Sequence, residues 1–117
     1  MAFEAGRLDV RITMLRRTLA HDGLQKIESW TPIGSRFASR RPLPGGERGE
    51  AEGRRAFGRF SLWVRRDSDT ATLTAADAIA MGGVRYELTE PPREVDSARR
   101  RGMELLVEST GEAWVAP

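Results

Sequence analysis

The stretch Ser39–Arg59 reads SRRPLPGGERGEAEGRRAFGR, and the rest of the chain is organised around it. Its prolines, glycines and charges disfavour both regular structure and burial in a core. The segments on either side alternate apolar and polar residues, which is the pattern of half-buried strands. The sequence therefore predicts a small β framework that presents a long basic loop at about residues 40–56. Long loops in compact domains are usually functional or disordered, so we expect the function to lie here.

Before the loop, the pattern predicts a hairpin and one further strand. A first strand alternates at Val10–Met14, a turn follows at His21–Gly23, and a return strand covers Leu24–Thr31. Pro32 and Gly34 are expected to interrupt this return strand, and a third short strand is expected at Arg36–Ser39.

After the loop, Phe57–Arg66 alternates most clearly, and Glu47–Ala56 within the loop allows about two helical turns. A second hairpin is predicted from Asp77 to Thr89 around Gly82 and Gly83, a favoured two-residue turn. Trp63 and Trp30 are expected to be core aromatics. The other predicted features are a turn at Asp67–Asp69, an ambiguous segment at Thr70–Ala76, a charged link at Arg93–Arg101, a last strand at Met103–Glu108, and a loose tail at about 109–117 whose Trp114 is available to a partner.

These elements predict one all-β domain spanning residues 1–117. It has six to seven short strands, little helix, and a long loop between central strands. Such a set of strands forms either a sandwich or a small β-barrel, and closing the sheet removes exposed strand edges.

Composition excludes several kinds of chemistry. The chain has no cysteine and a single histidine, His21, which lies beside Asp22 and Gly23 and is expected to be an exposed turn residue. No P-loop, nucleophile elbow or zinc-protease motif is present. Glu47, Glu50 and Glu52 alternate with Arg and are expected to pair with it rather than hold a metal. We therefore assign no catalytic, cofactor-binding or metal-binding residue, and expect no enzyme. We also expect no signal peptide and no membrane span.

Charge is distributed unevenly along the chain. Between Arg36 and Arg66 there are nine Arg and three Glu, a net charge of +6, whereas the whole chain carries +2, so the remainder carries −4. Such asymmetry indicates either a polyanionic partner or complementary contacts between copies of the chain. Arginine suits phosphate because its planar group binds bidentately and stays charged. The residues predicted to contact DNA or line a channel are Arg40, Arg41, Arg48, Arg54 and Arg55; an acidic protein surface is the equal alternative.

The order of several short motifs carries a family resemblance. They are LDVRI at 8–12, DG at 22–23 with Trp30, FA at 37–38, ERGE at 47–50, FSLWVRRD at 60–67, DAIAMGGVRYEL at 77–88 and GMELLVE at 102–108. In this order the chain resembles the phage head–tail joining proteins, also called stopper or head-completion proteins. Phe37 stands where that family usually has Trp. The arginine content also resembles the version carried by gene transfer agents.

The resemblance implies a structural role without catalysis. Proteins of this family form a homo-oligomeric ring below the portal and its adaptor, and a tail terminator or tail tube attaches beneath. Their channel loops help to retain packaged double-stranded DNA. The resemblance thus implies a particle-neck component made in the bacterial cytoplasm, with no membrane partner. The alternative reading from the residues alone is a free-standing nucleic-acid-binding β-barrel that acts through phosphate contacts.

Overall fold

The computed structural model describes residues 8–44, 58–96 and 100–115. Seven strands account for most of this chain, and the one helical element among the described residues is a single 3₁₀ turn at Thr70–Thr72. The strands are β1 (Val10–Asp22), β2 (Gln25–Pro42), β3 (Arg59–Arg65), β4 (Ala78–Met81), β5 (Val84–Leu88), β6 (Arg93–Glu94) and β7 (Gly102–Ala113).

All the strand pairs are antiparallel, and the sheet closes on itself. The order is β3-β2-β1-β4-β5-β7-β6, and β3 also pairs with β7 along its whole length. Six strands therefore form a closed ring. The short strand β6 is not part of this ring and pairs with β7 on the same edge as β5 does. The predicted all-β class is confirmed, and the described strands form one closed sheet rather than two stacked sheets. Closure leaves few strand edges open to other chains.

The interior of the ring is the main core. Along β3, Leu62 and Val64 point inward and are fully buried, as the period-2 pattern predicts. Leu105 and Val107 of β7 meet them from the neighbouring strand. Each such side chain contributes roughly 1.5–3 kcal/mol by leaving water. Further members of this interior cluster include Ile12, Met14, Ile79, Met81, Tyr86, Leu88 and Met103.

A second apolar cluster lies on the outside of the ring. On β4, Ala78 and Ala80 alternate with the interior residue Ile79, so they face outward. They pack with Leu15, and the half-buried Trp30 and Trp114 cover them. Trp30 is therefore not an interior residue, although Trp63 is fully buried as expected. The Trp63 indole donates a 2.6 Å hydrogen bond from Nε1 to the Val95 carbonyl oxygen.

The strands before the loop differ from the prediction. β2 is one continuous strand of 18 residues, although two strands separated by Pro32 and Gly34 were expected. The register against β1 shifts between Met14 and Leu15, so that β2 contributes one extra residue there, Ile33. Such a bulge accommodates a proline and a glycine without ending the strand. The first hairpin itself is confirmed, but its turn lies at Gly23–Leu24, one residue later than expected, and His21 is an exposed strand residue.

The end of the chain also differs from the prediction. β7 continues to Ala113, which pairs with Val84, so the segment from Ser109 to Ala113 is strand rather than loose tail. The Trp114 amide donates to the Gly83 carbonyl oxygen at 2.9 Å, and its ring packs on the outer cluster. The long final strand is stabilised by the second hairpin, which forms as predicted with positive φ at Gly82 (59°) and Gly83 (79°).

Beyond Leu15, β1 pairs only with β2, because its pairing with β4 covers just Thr13–Leu15. The residues from Arg16 to Thr31 therefore form a two-stranded ribbon, which we call the arm. Three large apolar side chains are exposed on it, namely Leu19, Leu24 and Ile27. An isolated two-stranded ribbon is marginally stable in water, so we expect the arm to gain order from a neighbour.

The predicted turn at Asp67–Asp69 is stabilised by a hydrogen-bond network. Asp67 Oδ1 accepts from the amides of Asp69 (2.8 Å) and Thr70 (2.9 Å), while Oδ2 accepts from Arg36 Nε at 2.8 Å. Burial acts to raise the pKa of Asp67, but the Arg36 and amide hydrogen bonds outweigh it and hold that pKa below its ordinary value of 3.8. This network fixes the end of β3 against the middle of β2.

Because the folded pKa of Asp67 is lowered, its contribution to stability is complete above the unfolded value of 3.8 and is lost as the pH falls through the folded value. We expect Asp67→Asn to be less stable than the parent at pH 7, and the difference to shrink below pH 3.8. Urea unfolding at a series of pH values measures this. The matched control is Asp9→Asn, an exposed carboxylate that makes none of these hydrogen bonds. A pH-independent difference between parent and Asp67→Asn would contradict the assignment.

Candidate nucleic-acid interface

Both stems of the basic loop leave the sheet at one point. The last residue of β2, Pro42, pairs with Phe60 of β3, and the Leu43 amide donates to the Arg59 carbonyl oxygen at 2.8 Å. The loop therefore begins about three residues later than the sequence suggested. Residues 45–57 lie outside the described residues, and so do the expected helical turns at Glu47–Ala56 and the predicted contact residues Arg48, Arg54 and Arg55.

Arg40 and Arg41 were predicted as loop residues, but the structure places both in β2. They pair with Leu62 and Ser61, respectively. Because successive strand residues point to opposite faces, Arg40 lies on the interior side of the sheet and Arg41 on the outer side. Arg40 is exposed, and its guanidinium lies 5.1 Å from the centre of the Phe60 ring. The two residues therefore cannot contact one flat surface together.

Arg59 is the basic residue that the sequence did not single out. It begins β3, and its Nη1 donates to the Pro44 carbonyl oxygen at 3.4 Å. Its Nε is buried and has no hydrogen-bond partner among the described residues. A buried donor without a partner is costly, so Nε marks a place for an additional acceptor. The only sequence signal was its position as the last residue of the basic stretch.

The Phe60 and Tyr86 rings support Arg40 from inside the sheet. They meet edge to face, with centroids 5.9 Å apart and planes at 66°. Burial raises the pKa of Tyr86 above 10.0, while the positive charge of Arg40 acts in the opposite direction. Arg40 is therefore held beside an aromatic pair at the loop end of the ring. A cation there is positioned to attract an anion that approaches the loop end of the ring.

The base of the loop combines basic side chains with a buried hydroxyl–carboxylate pair. Arg40, Arg41 and Arg59 all lie near the point where the loop leaves the sheet, and Ser61, the strand partner of Arg41, donates from its buried Oγ to Glu104 Oε2 at 3.1 Å. Within residues 8–44, 58–96 and 100–115, no group of three or more His, Cys, Asp or Glu side chains could hold a metal ion. The same residues include no helix long and apolar enough to cross a membrane.

The closed sheet, with basic side chains at the point where the loop leaves it, thus defines an all-β binding or structural protein. The family model described as "Phage head completion protein" matches residues 3–110. The chain belongs to the phage head completion protein family. This is a family of structural virion proteins rather than enzymes, and its members interact with other phage head and tail proteins.

One solved structure resembles the fold over nearly its whole length. It is the solution structure of protein SF1141 from Shigella flexneri 2a, with a TM-score of 0.64 and 24% sequence identity. The match covers 94% of this chain and 99% of the other. At this identity the likeness supports the fold alone. Among curated proteins, none matches this chain.

Proposed function

We propose that this protein is a head–tail connector, or stopper, that forms a ring in the neck of a phage or of a gene transfer agent particle. The ring lies below the portal and its adaptor and binds a tail terminator or tail tube beneath. The family match over residues 3–110 carries this proposal, since the family consists of structural head proteins. The closed β framework with a basic loop at one end is consistent with a subunit that surrounds a passage for double-stranded DNA.

We propose that the loop and its base contact the DNA. Arg40 and Arg59 lie where the stems leave the sheet, and Arg48, Arg54 and Arg55 lie between these stems in the sequence. One subunit offers few phosphate contacts, but a ring repeats them around the duplex and raises the effective affinity. The DNA then remains in the head because many weak ion pairs act together.

The double charge reversal Arg54→Glu/Arg55→Glu tests the role of the loop. We expect folding to be unchanged and the fraction of particles that retain DNA to fall by about tenfold, because each copy in the ring then repels phosphate. Nuclease-protected DNA per particle measures retention, and circular dichroism checks the fold. The matched control is Arg100→Glu/Arg101→Glu, an adjacent exposed pair away from the loop stems. Equal retention in the two variants would remove the loop from DNA retention.

A second experiment separates the connector from a free-standing DNA-binding protein. Electron microscopy of assembled particles should show the chain as a ring at the neck, and the purified chain should bind duplex DNA weakly. A free-standing binder would instead bind duplex tightly by itself, with a steep loss of affinity between about 50 and 200 mM salt. Absence of the chain from purified particles would refute the connector.

A further inference from the structure

A groove opens at the base of the arm, on the outer side of the ring. Its volume is about 450 Å³, and Trp30, Ala75 and Ala76 contribute apolar lining. Arg85 lies 4.7 Å from the centre of the Trp30 ring and forms an ion pair with Glu112. The groove therefore combines an aromatic wall with charged groups, a composition typical of binding hot spots.

The carboxylates around the groove outnumber the cations that line it. Glu28, Asp77, Glu87 and Glu112 line it together with two arginines, Arg17 and Arg85. Glu28 pairs with Arg17 at 3.8 Å, and Asp77 pairs with Arg16 at 3.3 Å. Glu87 is exposed and forms no ion pair among the described residues. A basic side chain of a bound partner could therefore form an ion pair with Glu87.

A patch with the opposite character lies further along β2. Phe37 is 54% exposed, unusually so for its size, and the guanidinium of Arg11 lies 6.0 Å from the centre of its ring. A hollow of about 370 Å³ beside Phe37 is lined by Leu8, by the exposed Arg65 and by the ion pair of Arg36 with Asp67. Within the described part of the chain, neither Arg11 nor Arg65 forms an ion pair. We call this surface the knob, since it presents an apolar ring with a basic rim.

The knob cannot fill the groove of its own chain. Phe37 and Trp30 both lie on the outer side of β2, seven residues apart, which corresponds to a distance on the order of 20 Å along a strand. The two surfaces are nevertheless complementary. Among the described residues, the knob has an aromatic ring beside cations without an ion pair, and the groove has the Trp30 ring beside Glu87, a carboxylate without an ion pair. Binding of one surface to the other would remove the Phe37 ring from water.

We propose that the knob of one copy inserts into the groove of a second copy, with Phe37 against Trp30 and Arg11 or Arg65 beside Glu87. This contact joins two different surfaces, so it repeats from copy to copy and closes when the rotation permits a ring. It rests on the proposed function, because it assigns the surfaces by which the neck ring assembles. The arm borders the same groove, so the contact also supplies the neighbour that the two-stranded arm needs.

The absence of native cysteine makes disulfide trapping a clean test. Leu8→Cys lies beside the knob and Ala76→Cys lies on the rim of the groove. Oxidation of the double variant at about 1 mM, where even weak contacts are populated, should give a ladder of covalent oligomers on a non-reducing gel. Each single variant alone should stay monomeric, and an equimolar mixture of the two should stop at the dimer.

Other occupants give other results, and each overturns the proposal. Dimers of one single variant would show a two-fold contact between identical surfaces, and no ladder from the double variant would show that the knob and the groove do not bind each other. The control pair Leu8→Cys with Thr89→Cys, an exposed residue outside the groove, should give no ladder. Whether purified particles contain the chain tests the connector independently. If the chain is present in the neck and no ladder forms, the contact is refuted and the connector is not.

Four further variants in the double-cysteine background test the chemistry. Phe37→Ser should reduce the ladder at least tenfold, since truncated aromatic anchors commonly carry that much affinity. Leu24→Ser, which removes a fully exposed apolar side chain from the tip of the arm, should leave the ladder unchanged. Glu87→Arg should also reduce it, and adding Arg11→Glu/Arg65→Glu should restore it. The assignment would be refuted if the charge exchange failed to restore the ladder and Phe37→Ser failed to reduce it.

Discussion

Replacing Gly102 by alanine is expected to lower the free energy of unfolding by about 3 kcal/mol, the upper end of ordinary overpacking. A Cβ atom at this position would lie 2.1 Å from Cε2 of Trp63 and 2.2 Å from its Nε1. The indole cannot move aside cheaply, because it is fully buried and its Nε1 is hydrogen-bonded to Val95. Alanine would gain about 0.5–1 kcal/mol from the less flexible unfolded chain, which is too little to offset this overlap.

The measurement is thermal unfolding together with Trp fluorescence. For a chain of this length the expected loss corresponds to a fall in Tm of roughly 10–15 °C. The control is Gly82→Ala, where the added Cβ meets nothing within 4 Å and only the positive φ of 59° is penalised, at a cost of about 1–2 kcal/mol. The double variant Gly102→Ala/Trp63→Phe should recover part of the loss relative to additivity, since the smaller ring leaves room. A Gly102→Ala protein as stable as the parent would contradict the tight packing.

Truncation of Leu105 to alanine is expected to cost about 2–5 kcal/mol, as for other fully buried leucines. Leu105 has no exposed surface and lies in the interior cluster, directly opposite Leu62 of β3. The β3–β7 pair is the one that closes the ring, so a cavity there weakens the closure as well as the core. We expect the urea midpoint to fall in proportion.

The same substitution at Leu24 provides the matched control. Leu24 lies at the turn of the arm and is fully exposed, so Leu24→Ala should change the free energy of unfolding by less than about 0.5 kcal/mol. Both variants remove the same atoms, and only burial differs between them. Equal destabilisation would mean that the ring interior is not the principal core.

Much of the fold could be predicted from local patterns. The alternation in β3 identified its buried face, with Leu62 and Val64 inward, because strand side chains have a period of two. The pair Gly82 and Gly83 identified the second hairpin, since both residues adopt positive φ. The absence of cysteine and the lone His21 limited the chemistry that the chain can perform, since thiolate and paired-histidine sites both require residues that it lacks.

The candidate site was predicted less completely. The basic stretch begins inside β2 and ends at the first residue of β3, and Arg40 and Arg41 belong to β2 and point to opposite faces. Local composition could not show this, because the pairing of these residues with β3 depends on a strand some 20 positions further along. The same reason explains why the buried Nε of Arg59 was missed.

What the sequence by itself determined was the strand content, the Gly82–Gly83 turn and the basic middle, because each follows from residues that are neighbours in the chain. Tertiary structure alone decided the closure of β3 on β7, the continuity of β2 past Pro32, the extension of β7 to Ala113 and the overlap that requires Gly102. These features depend on pairing between segments distant in sequence. Long-range hydrogen bonds and packing there outweigh the local preference for a break, a loose end or an ordinary side chain.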